Sequence, residues 1–203
     1  MTVSATSVSP RRLKNLTLVG GIVLSGLVLL TWTGDWFDLT LDGKSASHTT
    51  LAVTGNTAAP ALIALALAGL ALVGALAIAG TVVRFILGVV EMLLGFIVSY
   101  SARVALENPA GASAALITGA TGVSGNSSII AMVTSVSVSA WPWLALLVGL
   151  LILALGVVIV VTARRWPGSS RKYQATASTT DEPGTNPVAD WDSLSGGGDP
   201  TSR

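Results

Sequence analysis

The chain has 203 residues, 51% of them hydrophobic and 10% charged, with a formal net charge of +1. A soluble domain carries roughly 25% charged residues, so this chain lacks the polar groups to cover a globule, and lipid is the solvent its apolar runs fit. The absence of cysteine excludes disulfides, thiolate metal sites, cysteine nucleophiles and thioester-linked lipid anchors, and the small net charge does not mark nucleic acid as a partner.

The first apolar run covers residues 13–32, behind an N-terminal segment, 1–12, that ends in Arg11 and Arg12. About 20 residues is what a helix needs to cross a hydrocarbon core of about 30 Å. A secretory signal peptide shares the basic start and apolar middle, but needs small residues soon after the run. The nearest, at 45–47, lie too far downstream, so the run is read as an uncleaved anchor. In the polar segment 33–57, Phe37, Leu39 and Leu41, then Leu51 and Val53, alternate with polar residues at the strand period. Asp42-Gly43 and Gly55-Asn56 supply turn chemistry. A small external hairpin is predicted, packed on the helix ends or on the second loop, because an isolated hairpin is marginally stable.

A second span is predicted over 58–79, free of charge and with Pro60 in its first turn, where a missing N–H costs little. After a turn at 80–81, a third span over 82–106 carries Arg84, Glu91 and Arg103. Residues 107–140 are rich in Ala, Gly, Ser, Thr and Val without a sustained apolar run, and are read as a second external loop in which Val136 and Val138 suggest a strand. A re-entrant segment is the second reading, but irregular backbone at membrane depth needs protein or water around it. The fourth span, 141–163, opens with Trp141-Pro142-Trp143 and is followed by Arg164, Arg165 and Trp166. Residues 164–203 hold almost no large aliphatics and are predicted to be a disordered tail. The predicted fold is an all-α membrane protein: a bundle of four transmembrane helices, a small external β-hairpin and a disordered C-terminal tail.

Four spans put both termini on one side. Arg11, Arg12, Lys14, Arg84, Arg164, Arg165, Arg171 and Lys172 flank that side, against Lys44 and Arg103 on the other. Cytoplasmic loops carry the excess of Lys and Arg, so both termini are expected in the cytoplasm of a multi-pass plasma-membrane protein.

Glu91 is the residue that most needs an explanation, since an acid at helix-centre depth costs on the order of 2.5–3.5 kcal/mol on insertion scales. Three readings stay open: pairing within the bundle, with Arg84 two turns earlier on the same face; carriage as the neutral acid; or a proton or cation relay, for which Ser25 and Ser99 are the other polar candidates. Ala64, Ala68, Ala71, Ala75 and Ala79, with Gly69, Gly74 and Gly80 interleaved, form a small-residue pattern that favours close packing of the second span, with Gly88 and Gly95 on the third to receive it.

Trp32, Trp36, Trp141, Trp143 and Trp166 are read as interface anchors rather than as an aromatic-ligand site. His48 is the single histidine and has no cysteine or second histidine to complete a metal site. Asp35, Asp38 and Asp42 are read as a solvated face. No phosphate loop, Ser/His/Asp set or catalytic carboxylate pair appears, so no catalytic, cofactor or metal residue is assigned. In the tail, Trp191 and Leu194, followed by Asp199, Pro200 and Thr201, suit a short motif that folds onto a partner.

Several ordered features carry a resemblance: Arg11-Arg12-x-Lys14, Thr31-Trp32, Val53-x-Gly55, Pro60-Ala61-Leu62, Trp141-Pro142, Trp191-x-x-Leu194 and Asp199-Pro200-Thr201. Together they resemble the actinobacterial tryptophan-associated transmembrane proteins, also named Trp biosynthesis-associated or Trp-operon membrane proteins, over nearly the whole chain. The resemblance implies a gene beside tryptophan-biosynthesis genes; it carries over no catalytic residue and does not imply that tryptophan is bound.

The expected function is that of a non-enzymatic accessory or scaffold protein without a cofactor. Its expected partners are the lipid bilayer and a membrane or cytoplasmic protein, or further copies of itself, with no nucleic acid. The alternative is a small transport component for an aromatic amino acid or related metabolite, with Glu91 on the path.

Overall fold

The computed structural model describes residues 10–41 and 49–164. The expected turn at Asp42-Gly43, together with Lys44, His48, Trp166 and the tail motif of Trp191, Leu194, Asp199, Pro200 and Thr201, lies outside the described residues. In chain order the elements are α1 (Pro10–Thr33), β1 (Asp35–Leu41), β2 (Thr49–Thr54), α2 (Gly55–Ala58), α3 (Leu62–Ile78), α4 (Thr81–Glu107), α5 (Pro109–Ala112), α6 (Ala114–Thr121), α7 (Asn126–Met132), β3 (Val133–Val138) and α8 (Trp141–Thr162).

Within the described residues, three helices are long and apolar enough to cross a membrane: Arg12–Thr33, Thr81–Glu107 and Trp141–Thr162. The expected second span, 58–79, is shorter in the structure: α3 is apolar but has 17 residues. Pro60 causes the difference. A residue before proline is pushed out of the helical region, and Ala59 has φ −145° and ψ 69°. The chain therefore breaks between α2 and α3, and Pro60 stands in the turn ahead of α3 rather than in its first turn. Gly55-Asn56, expected to turn, opens the short helix α2 instead.

The four long helices close into a ring, with α1 beside α3 and α8, and α4 beside α3 and α8; the α4–α8 contact is the most extensive. Neighbours run antiparallel: Gly88 of α4 meets Val160 of α8 while Gly95 meets Leu153, and Gly21 of α1 meets Val73 of α3 while Ser25 meets Gly69. The start of α1, the α3–α4 turn and the end of α8 share one end of the bundle, where Lys14 Nζ donates to Ala77 O at 2.9 Å.

The other end carries a three-stranded antiparallel sheet, order β2-β1-β3. The predicted hairpin is its β1–β2 half, and the strand suggested by Val136 and Val138 is β3, which extends the hairpin to three strands. In β1, Phe37, Leu39 and Leu41 are buried and Asp38 is exposed, as the alternation predicts. Trp36 breaks that alternation. A register shift between Asp35 and Phe37 lets two consecutive side chains face inward, and both Trp36 and Phe37 are fully buried. They form one core with Val53 of the sheet and Leu62, Val98, Ala145 and Val148 of the helices.

Residues 107–140, expected to be a loop, are largely helical. Asn108 Oδ1 accepts from Gly111 N–H at 2.9 Å and Pro109 opens α5, a start signal at both positions. Gly122, at φ +71°, closes α6 in the left-handed conformation that a side chain disfavours. Short helices here bury single anchors, Ile117 and Ile129, rather than a sustained run.

Candidate functional site

The face of α4 that turns inward carries Arg84, Gly88, Glu91, Gly95, Val98, Ala102 and Ala105, spaced three or four apart as one helix face requires. Glycine at two of these positions sets the distance to α8. A Cβ on Gly88 would lie 2.9 Å from Ile159 Cγ2, and one on Gly95 would lie 2.7 Å from Gly149 O. The approach is reciprocal: a Cβ on Gly149 would lie 2.7 Å from Ser99 N, and one on Gly156 would lie 2.6 Å from Met92 N. Ser99 Oγ donates to Gly95 O at 3.0 Å within this seam.

The close helix pair is thus α4–α8, and the small-residue pattern expected to seat the second span on the third is placed otherwise. Ala64, Ala68, Ala71 and Ala75 are exposed, and Gly74 and Gly80 have open space around them. The helix turns Leu62, Leu72, Val73 and Leu76 inward instead, because burying large aliphatic side chains removes more apolar area than burying alanines. Gly69 does serve close approach, toward Ser25 of α1. The spacing carried a readable signal for the true seam: Gly88 and Gly95 are separated by the same interval as Gly149 and Gly156.

Glu91 stands in the seam between Gly88 and Gly95, 2% exposed, and its Oε2 has no hydrogen-bond partner in the structure. The pairing with Arg84 considered from the sequence is not formed: the one ion pair among the described residues is Arg103–Glu107, 2.7 Å apart on the exposed end of α4. The Arg84 guanidinium reaches the end of the bundle, donating from Nη2 to Ala79 O at 2.8 Å and from Nη1 to Ala163 O at 3.3 Å. These carbonyls end α3 and α8, where acceptors are left over and the helix dipoles are negative, so a cation is drawn there.

The tryptophans divide by role. Trp36, expected as an interface anchor, is a core residue whose Nε1 donates to Thr31 O at 2.7 Å, a hydrogen bond that lets an indole be buried whole. Trp32 and Trp141 are half-buried, Trp141 against Gly34, whereas Trp143 is 60% exposed as an anchor would be. Asp35 and Asp38 are exposed on β1.

Open grooves mark the outer faces of the bundle. One of about 430 Å³ runs from Pro60 to Tyr100 and Asn108, and one of about 290 Å³ lies over Phe96, Leu150 and Leu153 below Arg103.

No curated protein and no solved structure matches the chain. Apolar helices of spanning length around a buried acid describe a membrane protein, and the family model described as tryptophan-associated transmembrane protein matches residues 18–201, so the chain belongs to that family.

Proposed function

We propose that the protein crosses the plasma membrane four times, with both termini in the cytoplasm and the sheet outside. In this reading it is a non-enzymatic accessory protein that engages a membrane or cytoplasmic protein partner. The 17 residues of α3 rise about 25 Å at 1.5 Å each, enough for a thin or locally thinned hydrocarbon core. Lys14, Arg84 and Arg164 gather at the bundle end away from the sheet, the distribution expected of a cytoplasmic side. The observation that carries the accessory reading is the seam around Glu91. Gly88 and Gly95, on either side of Glu91, bring α4 to close backbone approach with α8, and Glu91 is 2% exposed, which speaks against an open solute path at the acid.

The second reading, a transport component for an aromatic amino acid, draws support from the Glu91 Oε2 that lacks a partner, since intramembrane acids commonly serve ion pathways. Mild-detergent purification of the tagged full chain, followed by mass spectrometry, tests the accessory reading. A stoichiometric partner is expected, and deleting residues 188–203 releases it if the motif at Trp191 and Leu194 makes the contact. A preparation holding this chain alone contradicts the accessory reading.

A further inference from the structure

Strand β3 is one of the two outer strands of the sheet, β2 being the other, and it is the more exposed of them: β2 buries Val53 and half-buries Leu51 and Thr54. Strand β3 pairs through one side with β1, and every residue from Thr134 to Val138 is exposed. Edge strands leave a row of backbone N–H and C=O groups open to another strand, and stable proteins blunt them with charge, proline or a covering element. Val133–Val138 reads V-T-S-V-S-V, with neither a charge nor a proline, and is built from β-favouring and small polar residues. At its end, Val138 borders an open groove of about 450 Å³ with Arg103, Leu106, Glu107, Trp143 and Leu146, so the exposed edge continues onto the outer surface of α4 and α8.

The geometry points to β3 as a homodimer interface, on which β3 of a second copy pairs antiparallel about a two-fold axis and turns two three-stranded sheets into one of six. The open backbone ladder specifies a strand as the occupant. An uncharged edge meets its own copy without opposing like charges, which self-pairing across a two-fold axis would otherwise impose. Copies held in one bilayer also carry their sheets at one height, which raises the effective concentration of each edge for the other. This interface is independent of the accessory reading and stands whether or not a second protein binds.

The chain has no cysteine, so single substitutions report the interface cleanly. Each residue from 133 to 138 of the full chain is changed to Cys in turn and oxidised in native membranes, with Val161→Cys, exposed near the far end of α8, as the collision control. A disulfide-linked dimer is expected to peak at one or two positions between 134 and 137 and to fall to the control level at 133 and 138. Adding Val136→Lys to the best-linking variant that leaves Val136 in place is expected to lower the link about twofold to fivefold, because it brings two lysines close to the two-fold axis of an otherwise uncharged edge. A yield equal at all positions, no link, a maximum at 133 or 138, or a link to a different protein overturns the proposal.

Discussion

Gly95 and Gly149 meet backbone to backbone across the α4–α8 seam, so that a Cβ on Gly95 would stand 2.7 Å from Gly149 O. The obstruction is main chain, which cannot swing aside as a flexible side chain does. Gly95→Val is therefore expected to push the helices apart and to cost about 1–3 kcal/mol, the usual range for overpacking. Gly74→Val, at a position with open space around it, is expected to leave stability nearly unchanged. Unfolding in mixed detergent and SDS compares the two.

Arg84 ties the ends of α3 and α8 together through Ala79 O and Ala163 O. Arg84→Ala is expected to lose about 1.5–3 kcal/mol, as hydrogen bonds to a charged group do, and to expose the α3–α4 turn to limited proteolysis. Arg84→Lys keeps the charge but not the fork that reaches two carbonyls, so partial protection is the expected result.

Trp36 is expected to behave as a core residue. Trp36→Ala should cost about 3–5 kcal/mol through the cavity it leaves. Trp36→Phe should cost about 1–3 kcal/mol by leaving the buried Thr31 O without its donor at 2.7 Å. Trp143→Phe, at an exposed site, should fall within about 0.5 kcal/mol of the parent. The SDS titration of the full chain measures all three.

The proposed arrangement of four spans with cytoplasmic termini is tested by labelling. Ser124→Cys, exposed between α6 and α7, should react with a membrane-impermeant maleimide added to intact cells. Gly80→Cys and Arg164→Cys, at the opposite end of the bundle, should react after permeabilisation. Labelling of Gly80→Cys from outside contradicts the four-span arrangement.

The parts of this fold that were legible in the sequence are those set by long local patterns. The three helices of spanning length follow from long, largely apolar runs, and β1 and β2 from the alternation of Phe37, Leu39, Leu41, Leu51 and Val53. What could not be read depends on partners distant along the chain. The inward turn of Trp36 needs a register shift against β2. The choice of α8 over α3 as the close neighbour of α4 goes with the matched spacing of two glycine pairs more than fifty residues apart, a signal the sequence holds but which the denser alanine and glycine pattern of α3 masks. Arg84 and Glu91 are both buried on one face of α4, as their spacing indicates, but they do not pair with each other: the Arg84 guanidinium is turned to the carbonyls of Ala79 and Ala163, whose availability depends on where α3 and α8 end. The helices between 107 and 132 are short and alanine-rich, so their signal is capping at Asn108 and Gly122 rather than periodicity.

The central claim is that the bundle is closed around Glu91 and works through a partner rather than by moving a solute. Purified full-length protein in sealed vesicles, given labelled tryptophan with and without a proton gradient, tests it most directly. Uptake equal to that of empty vesicles is the predicted result, unchanged in Glu91→Gln. Uptake above empty vesicles that disappears in a correctly assembled Glu91→Gln variant would contradict the account and establish the acid as part of a transport path.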